Sequence, residues 1–151
     1  MQIFLTKEVK IDDTAPIIRE ILDNDGTVSF VPMGRSMYPL LTGSNKVVIG
    51  KFSKPLKKYD LPFYYRSGSN QYVIHRVVGF DNNGGYVMCG DFQLEKEYGI
   101  KDSDIIGIVV GFYRKNKYHS VSSMSYKIYC RLVPVLRLCH RIYCFFRGII
   151  R

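Results

Sequence analysis

Short apolar segments separated by turn-forming residues run through most of this chain. The clearest turn lies at residues 81–85, where one aspartate, two asparagines and two glycines separate the segment 71–80 from the segment 86–90. Asn and Gly favour the positive φ angles of tight hairpins, so the two segments are predicted to pair as antiparallel strands. Further apolar segments lie at 27–30, 46–49, 61–66 and 105–113. This spacing predicts a mainly β fold, built as a coiled antiparallel sheet and not as a parallel one.

The chain passes from the apolar segment 27–30 into a sharp corner centred on Ser36. Gly34 can adopt the backbone angles of a tight turn, and Pro39 fixes the backbone three residues after the serine. Met37 has the spacing to Leu40 that one face of a short helix requires. Such a corner exposes the hydroxyl and aims backbone N–H groups at one point, which is half of what a nucleophilic serine needs. A serine that merely caps a surface helix is the competing interpretation.

A serine nucleophile needs a base to take its proton, and His75 is the candidate. It lies inside the apolar segment 71–80, where burying a histidine without a partner would be costly. If the segment is one alternating strand, His75 and Val77 point to one face and Arg76 to the other. The two other histidines lie near the carboxyl terminus, outside such a setting. A core histidine satisfied by ordinary hydrogen bonds is the alternative.

Two motifs resemble those of a peptidase clan. The pattern Gly34-x-Ser36-Met37-x-Pro39-Leu40 is similar to the nucleophile motif of type I signal peptidases and of the related self-cleaving LexA-type repressors. Residues 74–78, Ile-His-Arg-Val-Val, resemble the next motif in the signal peptidases of the endoplasmic reticulum, the archaea and some Gram-positive bacteria. In that Ser/His branch, histidine stands where most bacterial enzymes carry lysine. The likeness covers about residues 27–112.

The resemblance implies a catalytic pair of Ser36 as nucleophile and His75 as base. Residues 90–93, Gly-Asp-Phe-Gln, are similar to a third motif of the family, and the resemblance implies that Asp91 or Glu97 orients the histidine. It also implies an oxyanion and substrate-binding site formed by Gly34, Arg35, Met37 and Pro39, with the backbone N–H of Ser36 as the main oxyanion donor. The implied fold is the coiled sheet or partly closed barrel of this clan. The residues themselves add an N-terminal helix at 13–23, with Ile17, Ile18, Ile21 and Leu22 on one apolar face, and a C-terminal amphipathic helix.

Two departures from the family pattern leave alternatives open. Phe92 and Gln93 replace the usual asparagines, and Gly34 stands where many bacterial enzymes carry a serine that helps to hold the oxyanion. One alternative is a weakly active or inactive module of the same fold that binds peptides or regulates a partner. The other is a self-cleaving LexA-type regulator, which His75 in place of lysine disfavours, as does the lack of a predicted DNA-binding helix pair.

The charge of the chain is concentrated in its last third. Residues 1–104 hold all 13 acidic residues and 13 of the 22 basic ones, whereas residues 105–151 hold nine basic residues and no acidic one. This asymmetry indicates an acidic partner surface. We therefore expect a peptidase-like domain at 1–114 and a basic amphipathic tail at 115–151.

The tail has the periodicity of a helix from Tyr126 to Ile150. Its apolar residues recur at three- and four-residue steps and predict one face: Ile128, Leu132, Val135, Cys139, Ile142 and Phe146. The residues predicted on the opposite face are Lys127, Arg131, Pro134 and Arg141. This pattern is typical of a helix that lies in an anionic membrane interface. A helix docked on the body's own sheet is the alternative, and nucleic acid is a less favoured partner because aliphatic residues interrupt the basic face.

The cysteines favour free thiols. Cys89, Cys130, Cys139 and Cys144 form neither a CxxC pair nor a zinc-ligand spacing, so we expect a reducing compartment and neither a metal nor a cofactor. The sequence starts without a predicted signal peptide and lacks an apolar window of about 20 residues. We expect a cytoplasmic protein that is peripheral on the inner face of the membrane and acts on a peptide or precursor protein.

Overall fold

The computed structural model describes residues 2–4, 11–53 and 55–148. In these residues the chain is mainly β, with two α-helices and one short 3-10 turn at Asp102–Asp104. The helices are α1 (Ile11–Asp23) and α2 (Met124–Phe146). The strands are β1 (Gln2–Phe4), β2 (Thr27–Phe30), β3 (Val47–Gly50), β4 (Pro62–Arg66), β5 (Gln71–Ile74), β6 (Arg76–Phe80), β7 (Tyr86–Cys89), β8 (Glu97–Ile100), β9 (Ile105–Arg114) and β10 (Lys117–Ser120).

The described strands form two sheets. The larger has the order β1-β2-β3-β9-β4-β5, with β10 also paired to β9, and the smaller has the order β6-β7-β8. All pairs are antiparallel except β1 with β2. The prediction of a mainly β, antiparallel fold with a helix near each end is therefore confirmed. The described strands do not close into a barrel, because each sheet ends in edge strands.

The core is built from the apolar faces that the sequence predicts. Three residues of α1 pack with residues of the larger sheet: Ile18, Ile21 and Leu22. Met37 and Leu40, from the loop that contains Ser36, belong to the same cluster. Burial of these side chains supplies the main force that holds the loop and α1 against the sheet. Ile17, predicted on the apolar face of α1, is instead exposed.

The segment 71–80 is not one strand, as predicted, but two strands separated by His75. β5 pairs with β4 in the larger sheet, whereas β6 pairs with β7 in the smaller one. The apolar pattern runs unbroken through this change because both strands are partly buried, and the pattern does not say which strand is the neighbour. The change of sheet places His75 at the junction of the two sheets.

The strands β8 and β10 fall outside the apolar segments that predict strands in the sequence. β8 is an edge strand with two exposed residues, Tyr98 and Gly99, so burial imposes little apolar pattern on it. β10 follows β9 through a two-residue turn, in which Lys115 and Asn116 both have positive φ. Such turns usually contain glycine, and lysine at the first position hides the hairpin from sequence reasoning.

Candidate active site

The serine loop, defined here as residues 31–41, joins β2 to β3. Gly34 has φ of 94°, in the region that favours glycine, and so makes the predicted sharp turn. The predicted short helix is absent, since residues 36–40 form a turn in which only Tyr38 N–H to Arg35 O and Leu41 N–H to Met37 O are closed. So few hydrogen bonds do not sustain a helix, because fixing the first turn costs more than one bond returns.

The four residues predicted to line the oxyanion and substrate site have different surroundings. Gly34 and Arg35 are exposed, and the Arg35 guanidinium lies 5.8 Å from the centre of the Tyr38 ring. Pro39 is half-buried. Met37 is buried in the core, so its side chain anchors the loop.

The Ser36 backbone is fixed to the segment that follows β7. The N–H of Phe92 donates to the Ser36 carbonyl at 2.8 Å, and a Cβ added to Gly90 would lie only 2.5 Å from that oxygen. Glycine at this position therefore permits the close approach of the two backbones. Arg76, which follows His75, pairs across the smaller sheet with Cys89, which precedes Gly90. Ser36 thus contacts the segment that follows β7, and its side chain is half-buried. Among the hydrogen bonds of the described residues, none joins the Ser36 hydroxyl to His75.

His75 is buried, with 2% of its surface exposed, and its Nδ1 lies 2.6 Å from Oε1 of Glu97. A carboxylate only accepts hydrogen bonds, so Nδ1 carries the proton and donates it to Glu97. The neutral ring then has its lone pair on Nε2, which is the atom a general base uses.

Glu97 is held at the start of β8 by a group of donors. Arg66 donates to both of its carboxylate oxygens, with Nε 2.7 Å from Oε2, and the Tyr64 hydroxyl donates to Oε2 at 3.0 Å. Burial opposes the charge of Glu97, but hydrogen bonds from His75, Arg66 and Tyr64 outweigh it and lower the pKa of Glu97 to about 2. Glu97 is therefore an anion throughout the neutral range and stabilises a positive charge on His75.

Asp91 lies in a different cluster and does not reach His75 through any contact that the described residues show. Nε and Nη2 of Arg76 donate to the two Asp91 oxygens, each at 2.7 Å, and both side chains are at most 1% exposed. Tyr129 donates to Asp91 at 2.9 Å, and Arg137 lies 3.6 Å from it. Of the two acids that the sequence left open, Glu97 contacts the imidazole and Asp91 forms a buried ion pair.

Sequence reasoning missed three residues of this region. Tyr64 and Arg66 lie at alternate positions of β4 and reach Glu97 from the same face, so the two-residue period of a strand could have indicated them. For Arg76, the alternation of a strand predicts only that its side chain points away from the side chain of His75. Nothing in the sequence says that it pairs with Asp91, because that contact depends on the register of β6 with β7.

In the residues that the structure describes, no group of three His, Cys, Asp or Glu side chains could hold a metal ion. The polar cluster around His75 consists of one imidazole, one carboxylate, one guanidinium and one phenol. These groups can move and stabilise a proton.

No protein-family model matches the sequence, and a search of curated proteins likewise gave no match.

Proposed function

We propose that this protein is a serine endopeptidase of the signal-peptidase type, in which Ser36 is the nucleophile and His75 is the general base. The observation that carries the proposal is the buried hydrogen bond from His75 Nδ1 to Glu97, which leaves Nε2 as the basic nitrogen. The backbone contact between Ser36 and Phe92 supports it, because it holds the serine loop against the segment that follows β7, and β7 pairs with β6, the strand that begins directly after His75. The motif resemblance around Ser36 and His75 adds a second, independent line of support.

In the proposed reaction, His75 Nε2 takes the proton of the Ser36 hydroxyl as the oxygen attacks the scissile carbonyl. The carbonyl oxygen becomes an oxyanion, which the backbone N–H of Ser36 stabilises. The imidazolium then donates its proton to the leaving amine, and an acyl-enzyme remains. Water, deprotonated by His75, attacks the ester and restores the free serine. Glu97 acts through His75 as a positioning residue, since it fixes the ring and balances its positive charge.

The surface beside the serine loop favours an extended peptide as the substrate. Val31 and Met33, between β2 and Ser36, are exposed, and Met33 shows 89% of its surface. Tyr38 and Phe92 are also exposed and pack edge to face, with ring centres 5.4 Å apart. Exposed apolar side chains beside an extended backbone suit a peptide that adds as a strand and inserts side chains between them. By resemblance, small side chains are expected next to the cut.

Replacing Glu97 by glutamine tests the positioning role. Glutamine keeps the size of the side chain but removes the charge that balances the imidazolium, so we expect kcat to fall by about 10²- to 10⁴-fold. The measurement is the cleavage of a mixture of leader-like peptides, followed by mass spectrometry of the products. The control is Glu95→Gln, the same substitution at an exposed position two residues away, which should leave the rate unchanged.

Three results would count against the proposed activity or redirect it. Equal rates for Glu97→Gln and Glu95→Gln would remove Glu97 from the mechanism. Tight peptide binding by the wild type without any product would favour the inactive binding module. Cleavage of the chain itself, with no cleavage of added peptides, would favour the self-cleaving regulator.

A further inference from the structure

Helix α2 packs on the body through one face. Its buried residues are Tyr126, Cys130, Val133 and Cys144, and they recur at steps of four, three and eleven, which fall on one face of a helix. Tyr126 and Cys130 belong to the main core. The docked alternative is thus realised, but through residues that the sequence analysis did not assign to the apolar face.

Polar contacts fix this docked face beside the candidate active site. Nη1 of Arg76 donates to the Tyr126 hydroxyl at 2.8 Å and lies 3.1 Å from the Cys130 sulfur. Arg137 donates to the carbonyls of Cys89 and Gly90. Because these contacts use buried charge and directional bonds, they fix the rotation of α2 about its own axis and therefore decide which face it turns outward.

The outward face of α2 is apolar. Five large apolar side chains on this face are between 47% and 81% exposed: Ile128, Leu132, Val135, Ile142 and Phe146. At 100° per residue they lie opposite the docked face, and they include five of the six residues predicted to form the apolar face. That prediction of an apolar face is correct, but the face points away from the body.

Three basic residues of α2 were predicted to lie opposite the apolar face, but the face there is the one that contacts the body, and of the basic residues Arg137 lies on it. Lys127, Arg131 and Arg141 are exposed, and at 100° per residue they lie along one flank of the outward face. Together with the outward apolar residues they form a surface with an apolar centre and a cationic border. Long basic side chains at such a border can reach the headgroups while the apolar centre enters the acyl region.

We propose that the outward face of α2 docks on an anionic membrane surface. A contiguous strip of exposed apolar side chains on one helix is typical of an interaction site. Charge selects the partner: residues 105–151 carry nine basic and no acidic residues, so a second copy would oppose like charges, whereas anionic headgroups complement them. Among the described residues, neither helix combines the length and hydropathy that a bilayer-spanning segment requires.

The proposed docking also orients the serine loop. His140 of α2 stacks on Phe92 with ring centres 4.0 Å apart, and Phe92 in turn packs against Tyr38 of the loop. A membrane on the outward face would therefore hold the serine loop on the side of α2 that faces away from the bilayer. This last point rests on the proposed peptidase function, whereas the membrane binding does not.

Vesicle binding by the full chain tests the docking. We expect co-sedimentation with vesicles of phosphatidylglycerol and phosphatidylcholine, weaker binding at high salt, and little binding to phosphatidylcholine alone. The double substitution Leu132→Glu/Ile142→Glu should weaken binding at least tenfold. Its control, Phe80→Glu/Tyr98→Glu, adds the same charge at exposed positions of the smaller sheet and should bind more tightly than the α2 variant. Arg131→Gln/Arg141→Gln should weaken binding by about 30-fold.

Other outcomes would overturn the proposal. Equal vesicle binding by the two glutamate double variants would exclude the outward face, and absence of binding by the wild type would exclude the membrane. A wild-type dimer that Leu132→Glu/Ile142→Glu converts to a folded monomer would identify a second copy as the occupant. Circular dichroism establishes that each variant is folded. Cleavage of a soluble peptide by the α2 variant, measured separately, keeps a failure of docking distinct from a failure of the peptidase proposal.

Discussion

Replacing Ser36 by alanine is expected to reduce peptide cleavage by about a millionfold, to the background rate. The reason is chemical: alanine has no oxygen to attack the carbonyl, so no acyl-enzyme can form, whatever the state of His75. The measurement is the initial rate of product formation for the wild type and for Ser36→Ala, on a peptide that the wild type cuts.

The matched control for this experiment is Ser44→Ala. Ser44 is an exposed serine in the next turn of the chain, and its side chain contacts Thr42. We expect the Ser44→Ala variant to cleave the peptide at the wild-type rate. If Ser36→Ala retains even one-hundredth of the wild-type rate, Ser36 is not the nucleophile and the peptidase proposal fails.

The largest expected effect on stability comes from Asp91→Asn. Asparagine fits the same space but leaves the buried Arg76 guanidinium without its anionic partner. Breaking one half of a buried ion pair costs about 3–5 kcal/mol in the free energy of unfolding. The measurement is urea-induced unfolding followed by circular dichroism. Asp25→Asn is the control, because Asp25 forms an exposed ion pair with Lys51 and should change the free energy of unfolding by less than about 1 kcal/mol.

The same variant separates two roles for Asp91. If Asp91→Asn unfolds like the wild type but loses activity, the acid serves the reaction and the ion pair with Arg76 is not its purpose. Where the single variant is too unstable to study, Arg76→Met/Asp91→Leu provides the second measurement. Replacing both charges by apolar side chains of similar size should recover most of the lost stability, because no buried charge is left unpaired.

The positions of most strands follow from local patterns, and so does α1. The Asn- and Gly-rich turn at 81–85 and the apolar segments on each side determine the β6–β7 hairpin without help from the rest of the chain. Likewise, Met37 and Leu40 are recognisable as anchors because their spacing and apolarity are local properties. What the sequence could not supply is the pairing of distant strands, on which the sites of His75 and Asp91 depend.

His75 illustrates that limit. Its segment has the composition of a single strand, yet the chain changes sheets at this residue and turns it toward Glu97, 22 positions later. The acid that meets it is decided by the register of β7 with β8, in which Met88 pairs with Glu97. The sequence shows only that Asp91 and Glu97 lie a few residues apart. The register of the strands determines that Glu97 contacts His75 and that Asp91 contacts Arg76.

Helix α2 shows the opposite case: its apolar face was predicted correctly, but this face does not contact the body. Its apolar periodicity is real, but the other face is the one that contacts the body, where Arg76 donates to Tyr126 and Tyr129 donates to Asp91. Hydrophobic periodicity identifies a face only by its apolar side chains. It therefore does not indicate a buried face whose tyrosine and cysteine side chains form hydrogen bonds with charged groups. The face that the pattern marks as buried is therefore the face that remains available for a partner.

The proposed proton transfer between positions 36 and 75 can be tested without any substrate. In Ser36→Cys, a nearby imidazole should stabilise the thiolate and bring the pKa of the introduced thiol below about 7.5, against about 8.5 for a free cysteine. The rate of alkylation by iodoacetamide, followed against pH by mass spectrometry of the peptide containing position 36, reports that pKa. We predict a lowered pKa in Ser36→Cys that returns to the ordinary value when His75→Ala is added. An ordinary pKa in both variants would contradict the account.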